Sequence, residues 1–242
     1  MIPILDRPDL LKEFAGADTL LAFDFDGTLA PIVDEPAQAC MRPQTRDRLA
    51  QITKRHSCIV ITGRARADIL PLLTGLNLVE VIGNHGLETS GIEPLRYTSR
   101  VRGWHEALVE ALRAEPGVRI ENKRYSLTVH FRQALDPPRA LHAIHVACAS
   151  LAGLRQIEGK CVVNLIPAEA AHKGAALLAA HARLATRRVV YIGDDETDED
   201  VFALPAGNRI LGIRVGYSDT SQAPYYLKSQ DEMDSLLEYF HS

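Results

Sequence analysis

The pattern of apolar positions changes style twice along the chain. In the first third, nearly unbroken apolar runs stand at Leu20-Leu21-Ala22-Phe23, Cys58-Ile59-Val60-Ile61 and Val79-Glu80-Val81-Ile82. A run without alternation predicts a strand covered on both faces, the habit of a central parallel sheet. Between the first two runs, Pro43 stands where a helix starts, with Leu49 and Ile52 on one face. The middle reads differently. Val101, Trp104, Leu108 and Leu112 keep helical spacing, and the stripe through Trp104 is read as core. Tyr125, Leu127, Val129 and Phe131 then alternate with Ser126, Thr128, His130 and Arg132, which predicts a half-exposed strand of an antiparallel sheet. Pro137-Pro138 opens a further helix carrying Leu141, Ile144, Cys148 and Leu151, and Cys161 to Leu165 reads as a strand closed by Pro167.

The last third returns to the first style. A helix is expected over 173–184, then a strand at Val189-Val190-Tyr191-Ile192, and another over 210–215. The acidic stretch from Gln230 to Glu238 reads as a solvated helix face. Strand, helix, strand at this spacing is the unit of a parallel sheet. The expected fold class is therefore α/β: a doubly wound parallel-sheet, Rossmann-like core over residues 1–94 and 168–242, with an inserted smaller α+β cap domain over 95–167.

Composition narrows the partners. A net charge of −4 supplies no basic field, which argues against nucleic acid and anionic membrane, and a phosphorylated substrate would need a local cation or a metal. Cys40, Cys58, Cys148 and Cys161 show no metal-binding spacing, so reduced thiols are expected. Residues 1–14 lack the basic-then-apolar order of a secretion signal, and the expected location is cytoplasmic. The histidines show no pairing that suggests zinc, and His172 reads as exposed at a helix start.

The chemistry sits at the strand ends, where open parallel sheets bind ligands. Three of the apolar runs end in polar clusters: Asp24-Phe25-Asp26-Gly27-Thr28, Thr62-Gly63-Arg64 and Gly193-Asp194-Asp195-Glu196-Thr197-Asp198. With those strands side by side, several carboxylates converge and a multivalent cation becomes the natural counter-charge. Ligands that are all oxygen favour Mg²⁺. Asp24 and Asp26, two apart on an extended segment, are expected to project to the same side. Phosphoryl transfer needs such a pair, one ionised and one carrying a proton. Gly27 permits the chain to turn back, and Thr28 offers a hydroxyl to cap the next turn of chain.

This series, D-F-D-G-T, then Thr62, Lys173 and G-D-D-E-T-D, resembles the haloacid dehalogenase superfamily of phosphatases. The resemblance implies that Asp24 is the nucleophile, that Asp26 is the general acid and base, that Thr62 bonds the phosphate and that Lys173 neutralises charge. It also implies an Mg²⁺ ion held by Asp24, by Asp26 through its carbonyl and by Asp194, with Gly63, Arg64, Asp195 and Asp198 in support. V-I-T-G-R (60–64), G-N-H-G-L-E (83–88), N-K-R-Y-S-L-T-V-H-F-R (122–132) and G-K-C-V-V (159–163) resemble, within that superfamily, the trehalose-6-phosphate phosphatases. That implies trehalose 6-phosphate as substrate, with Lys123, Ser126 and His130 of the cap holding the sugar that carries no phosphate.

Asn84 and His85 are further candidates for substrate contact, although His85 reads equally as a structural turn residue. The polar face of the cap strand reads either as the sugar site or as a solvated surface. One segment departs from the family pattern: Asn164 and Ile166 stand where an acidic and a basic residue are usual, and Glu169 is the carboxylate within reach to compensate. The departure keeps other sugar phosphates open, of the sucrose 6-phosphate or mannosyl-3-phosphoglycerate kind, and behind them a hexose phosphomutase.

Overall fold

The structure is a computed structural model and describes residues 1–33, 38–90, 94–205 and 209–241. The chain runs β1 (Ile2–Pro3), α1 (Pro8–Phe14), β2 (Thr19–Phe23), α2 (Pro43–Ile52), β3 (Ser57–Ile61), α3 (Arg66–Ile69) and β4 (Glu80–Ile82). It continues through α4 (Thr98–Ala111), β5 (Arg119–Asn122), β6 (Leu127–His130), α5 (Pro137–Ala149), β7 (Leu154–Gly159) and β8 (Val162–Pro167). It ends with α6 (Lys173–Leu184), β9 (Arg188–Gly193), α7 (Glu199–Phe202), β10 (Ile210–Val215), β11 (Tyr225–Leu227) and α8 (Met233–Glu238). Two compact units result: Met1–Ser90 with His172–Ser242, and Gly91–Ala171.

In the first unit the strands pair in parallel in the order β1-β11-β10-β9-β2-β3-β4. The unbroken apolar runs have a direct cause. Leu21, Phe23, Cys58, Val60, Val190 and Ile192 join a core with Leu11 of α1, Leu49 and Ile52 of α2 and Leu236 of α8. Their neighbours Leu20, Ala22, Ile59, Ile61, Val189 and Tyr191 join another with Leu177 and Ala180 of α6 and with Phe202 of α7. Alternate residues of one strand thus feed two cores, so a central strand has no polar face. The acidic stretch near the end is helical but amphipathic: Met233, Leu236 and Leu237 are buried while Ser235 and Glu238 are exposed.

The second unit holds an antiparallel sheet in the order β5-β6-β8-β7. Val101, Trp104 and Leu108 of α4, Ala140, Ile144 and Cys148 of α5, and Leu127, Val129, Val163 and Leu165 of the sheet are among its buried apolar residues. Two details differ from the expected pattern. Ser126 and Thr128, on the side expected to be solvated, are only 1% and 3% exposed. Burial there is tolerable because the Thr128 hydroxyl donates to Asn164 Oδ1 at 2.9 Å on the adjacent strand. Cys161 belongs to no strand. It takes the left-handed position (φ 63°) of a two-residue hairpin whose flanks Gly159 and Val162 pair. β1 and β11 are too short, and β5 and β7 too polar, to be visible beforehand, as edge and near-edge strands commonly are.

Among the described residues no helix is long and apolar enough to cross a membrane. Leu21, fully buried on central β2, is expected to cost about 2–5 kcal/mol when replaced by alanine. Urea unfolding measures it, and a loss below about 1 kcal/mol would contradict a tightly packed, doubly covered strand.

Candidate active site

The strand order reverses between β2 and β9: β3 and β4 follow on one side, β10 and β11 on the other. Such a reversal opens a crevice at the carboxyl ends of the two strands. Asp24 comes directly after β2 and Asp194 directly after β9, and the Asp24 N–H donates to the Ile192 carbonyl at 2.9 Å. Thr62 follows β3 and is fixed by donating its N–H to Ile82 O at 2.9 Å. Lys173 is the first residue of α6. Asp24, Thr62, Lys173 and Asp194 are all buried.

Lys173 Nζ lies 3.0 Å from Asp24 Oδ1 and 2.6 Å from Asp198 Oδ1. Carboxylate oxygens of Asp24, Asp194 and Asp198 all lie within 4.8 Å of one another. Burial works against the Lys173 charge, but Asp198 and Asp24 outweigh it and hold the ammonium more firmly protonated than usual. The balance for Asp24 is the reverse. Burial pushes its pKa well above the ordinary carboxylate range, Lys173 opposes this, and Asp198, Asp194 and Asp26 add to the rise. The cluster around Asp24 is thus short of positive charge. Three buried carboxylates face one ammonium, and a divalent cation fits that oxygen-only donor set.

Asp198 has little left for such an ion. Its Oδ1 accepts from Lys173 and, at 2.5 Å, from the Tyr191 hydroxyl; its Oδ2 accepts the backbone N–H groups of Asp194 and Asp195, both at 2.9 Å. It therefore fixes the loop after β9, which leaves Asp24 and Asp194 as the carboxylates better able to face an ion. Asp195 caps the turn beyond that loop, accepting from Glu196 N at 2.7 Å. Gly27 (φ +82°) leaves room for the Asp194 carboxylate: a Cβ there would lie 2.2 Å from Asp194 Oδ2.

Asp26 stands apart from the three clustered carboxylates. β2 stops at Phe23, so Asp24 and Asp26 lie beyond the strand, on a turn rather than on one regular extended segment. Arg64 grips the Asp26 carboxylate with two hydrogen bonds, from Nε at 2.7 Å and from Nη2 at 2.6 Å. The Thr28 hydroxyl, expected as a cap, is buried and makes no hydrogen bond among the described residues; the turn is closed instead by Gly27 N to Ala30 O at 2.8 Å. Gly63 sits against the ring of His85, which is 5% exposed, and Asn84 is fully buried.

In the second unit, Lys123, Ser126, His130 and Asn164 lie on adjacent strands or their ends, and the structure adds Glu121 to them. Glu121 Oε2 is 2.8 Å from His130 Nε2 and 4.0 Å from Lys123 Nζ. Burial alone would raise the Glu121 pKa, but the His130 hydrogen bond and Lys123 bring it down to about 2. Glu169 does not join this group; it forms an exposed pair with Arg100 at 2.6 Å.

Three residues escaped the sequence reading. Tyr191 reads as one more apolar residue of its strand, and the clue is that a buried tyrosine hydroxyl needs a partner. Glu121 hides in a short polar edge strand. Arg214, on β10, donates to Asp195 O at 3.3 Å and to Glu199 Oε1 at 2.9 Å, and no sequence signal marked it.

The profile of a family described as trehalose-phosphatase matches residues 22–231. A probable trehalose-phosphate phosphatase 4 of Oryza sativa subsp. japonica is 30% identical over 95% of this chain and 67% of its own length. The C-terminal domain of a C. albicans trehalose-6-phosphate phosphatase superposes with a TM-score of 0.85 at 22% identity, covering 100% of this chain and 98% of that one. A sugar phosphatase of haloacid dehalogenase subclass IIB gives 0.64 at 13% identity, covering 92% and 98%.

Replacing Tyr191 by phenylalanine keeps the ring against Phe202 and removes a donor from Asp198. Turnover is expected to fall about tenfold with KM nearly unchanged; unaltered turnover would detach Tyr191 from the site. Gly27→Ala should weaken divalent-cation binding by about tenfold or more by pushing Asp194 aside. Calorimetric titration reads this directly, and an unchanged affinity would remove Asp194 from the ligand set.

Proposed function

Because the chain belongs to the trehalose-phosphatase family, we propose that it hydrolyses trehalose 6-phosphate to trehalose and inorganic phosphate, completing the synthesis of the free disaccharide. One observation carries the reading: a buried lysine ammonium bridges Asp24 and Asp198 where the strand order reverses.

In this reading Asp24 attacks phosphorus, forming a bond from its carboxylate oxygen as the ester bond to the sugar breaks. Asp26 gives its proton to the departing sugar oxygen, and it then takes a proton from the water that hydrolyses the aspartyl-phosphate. Since Arg64 holds both Asp26 oxygens, that pair has to loosen before Asp26 can serve the leaving group. Lys173 offsets charge on Asp24 and on the transferring group, and the Thr62 hydroxyl bonds a phosphoryl oxygen. The divalent ion is proposed to be Mg²⁺, held by Asp24, Asp194 and the Asp26 carbonyl, where it would neutralise the carboxylates and draw charge from the phosphoryl group.

Lys123, Ser126, His130 and Asn164, together with Glu121, are proposed to hold the sugar. One observation keeps a second ester in view. The Asn164 amide oxygen is taken by Thr128, so a sugar hydroxyl meets N–H donors there rather than a carboxylate. A related disaccharide phosphate such as sucrose 6-phosphate is the alternative. All four thiols are free, in keeping with a cytoplasmic setting.

Phosphate release across about a dozen sugar phosphates is expected to rank trehalose 6-phosphate first; a ranking far below another ester would overturn the substrate assignment. Asp24→Asn is expected to lose at least about 10³-fold in kcat while unfolding at a similar urea concentration. Activity should vanish with EDTA and return with Mg²⁺, and turnover that persists in EDTA would count against the metal.

A further inference from the structure

The turn after β4 carries three successive residues with positive φ: Asn84 at 48°, His85 at 58° and Gly86 at 113°. Two of the three are not glycine, and a side chain pays for that conformation. The turn is nonetheless buried and closely held. Gly83 N and Glu88 N each bond the other residue's carbonyl, at 2.9 and 3.1 Å. Glu88 Oε2 accepts from Asn84 Nδ2 and from Arg66 N, both at 2.7 Å.

What the turn touches explains its shape. His85 N donates to Thr62 O at 2.9 Å, and Asn84 N donates to Arg64 O at 2.8 Å. The His85 ring lies so close to Gly63 that a Cβ there would come within 2.4 Å of it. On its other side, a Cβ on Gly86 would lie 2.8 Å from the backbone of His172, the residue before Lys173. Regular backbone after β4 would not aim successive N–H groups at Thr62 and Arg64 while keeping the ring against Gly63. Because a peptide unit is planar and trans, anchoring the Thr62 and Arg64 carbonyls on this turn directs the N–H groups of Gly63 and Ala65 away from it.

We propose that Asn84-His85-Gly86 is a wedge that sets the position of the Thr62-Gly63-Arg64 segment against the start of α6, so that His85 acts as a positioning residue for phosphoryl binding and not as a ligand of the sugar. The inference rests on the proposed role of Thr62 in bonding the phosphoryl group. It reassigns a histidine whose sequence context left both roles open.

The test compares wild type, His85→Ala and Glu88→Gln on trehalose 6-phosphate and on p-nitrophenyl phosphate, which has no sugar, with inorganic phosphate as inhibitor. His85→Ala should lower kcat/KM about tenfold on both esters and raise the inhibition constant of phosphate by a similar factor. Half-saturation by Mg²⁺ should stay within about twofold, since Asp24 and Asp194 are not held by the wedge. Glu88→Gln, partly exposed and of the same size, should show the same pattern at about threefold, and it carries the test if His85→Ala does not fold. A loss confined to the sugar ester would make His85 a sugar ligand and overturn the proposal. So would a fall in melting temperature with phosphate inhibition unchanged in both variants. If wild type ignores trehalose 6-phosphate yet hydrolyses p-nitrophenyl phosphate, the substrate assignment fails while the wedge is still measured on the second ester.

Discussion

Everything at the crevice depends on one ammonium group. Burying three carboxylates in a small volume would be prohibitive without a partner for each. Lys173 supplies a buried protein cation inside the cluster, touching Asp24 and Asp198 at once. Asp198 spreads its own charge over four donors, two of them backbone N–H groups of the neighbouring loop. The residue that anchors the lysine is therefore the residue that shapes the loop carrying Asp194. Electrostatics and backbone geometry are set by the same side chain. What remains unbalanced is Asp24, whose pKa is raised by burial more than by any neighbour. That imbalance is the physical argument for a divalent ion.

The first unit was legible because its strands are covered on both faces. Runs such as Leu20–Phe23 and Val189–Ile192 carry no alternation to confuse, and each ends in the residues that matter, so strand ends and candidate chemistry were found together. Lys173 was legible as the first residue of a helix with clear spacing. The second unit was harder. Its edge strands β5 and β7 mix charged and apolar residues, and neither announced itself. The alternation over 125–132 was real, but alternation reports residue type and not exposure, and paired hydroxyl and amide groups allow a polar face to be buried.

The same limit applies at the site. Sequence spacing placed Asp24 and Asp26 as a pair, yet the turn after β2 gives them different partners, Lys173 for one and Arg64 for the other. A bidentate guanidinium pair is invisible in spacing because its members are distant along the chain. Tyr191, too, differs from its apolar neighbours by a single oxygen, and only the location of Asp198 gives that oxygen a purpose. Residues that act through backbone carbonyls, such as His85, leave still less trace.

The pairing of β2 with β9 has a consequence for how the chain comes into being. β2 is complete by residue 23, but the strand that flanks it toward β10 ends at residue 193. On the ribosome, the chain must emerge through residue 193 before β2 loses its open edge, and Asp24 meets Lys173 equally late. The intervening unit, with its own antiparallel sheet, is free to form while the earlier strands wait, so the unpaired backbone edge of a strand apolar on both faces marks the nascent chain's period of greatest risk.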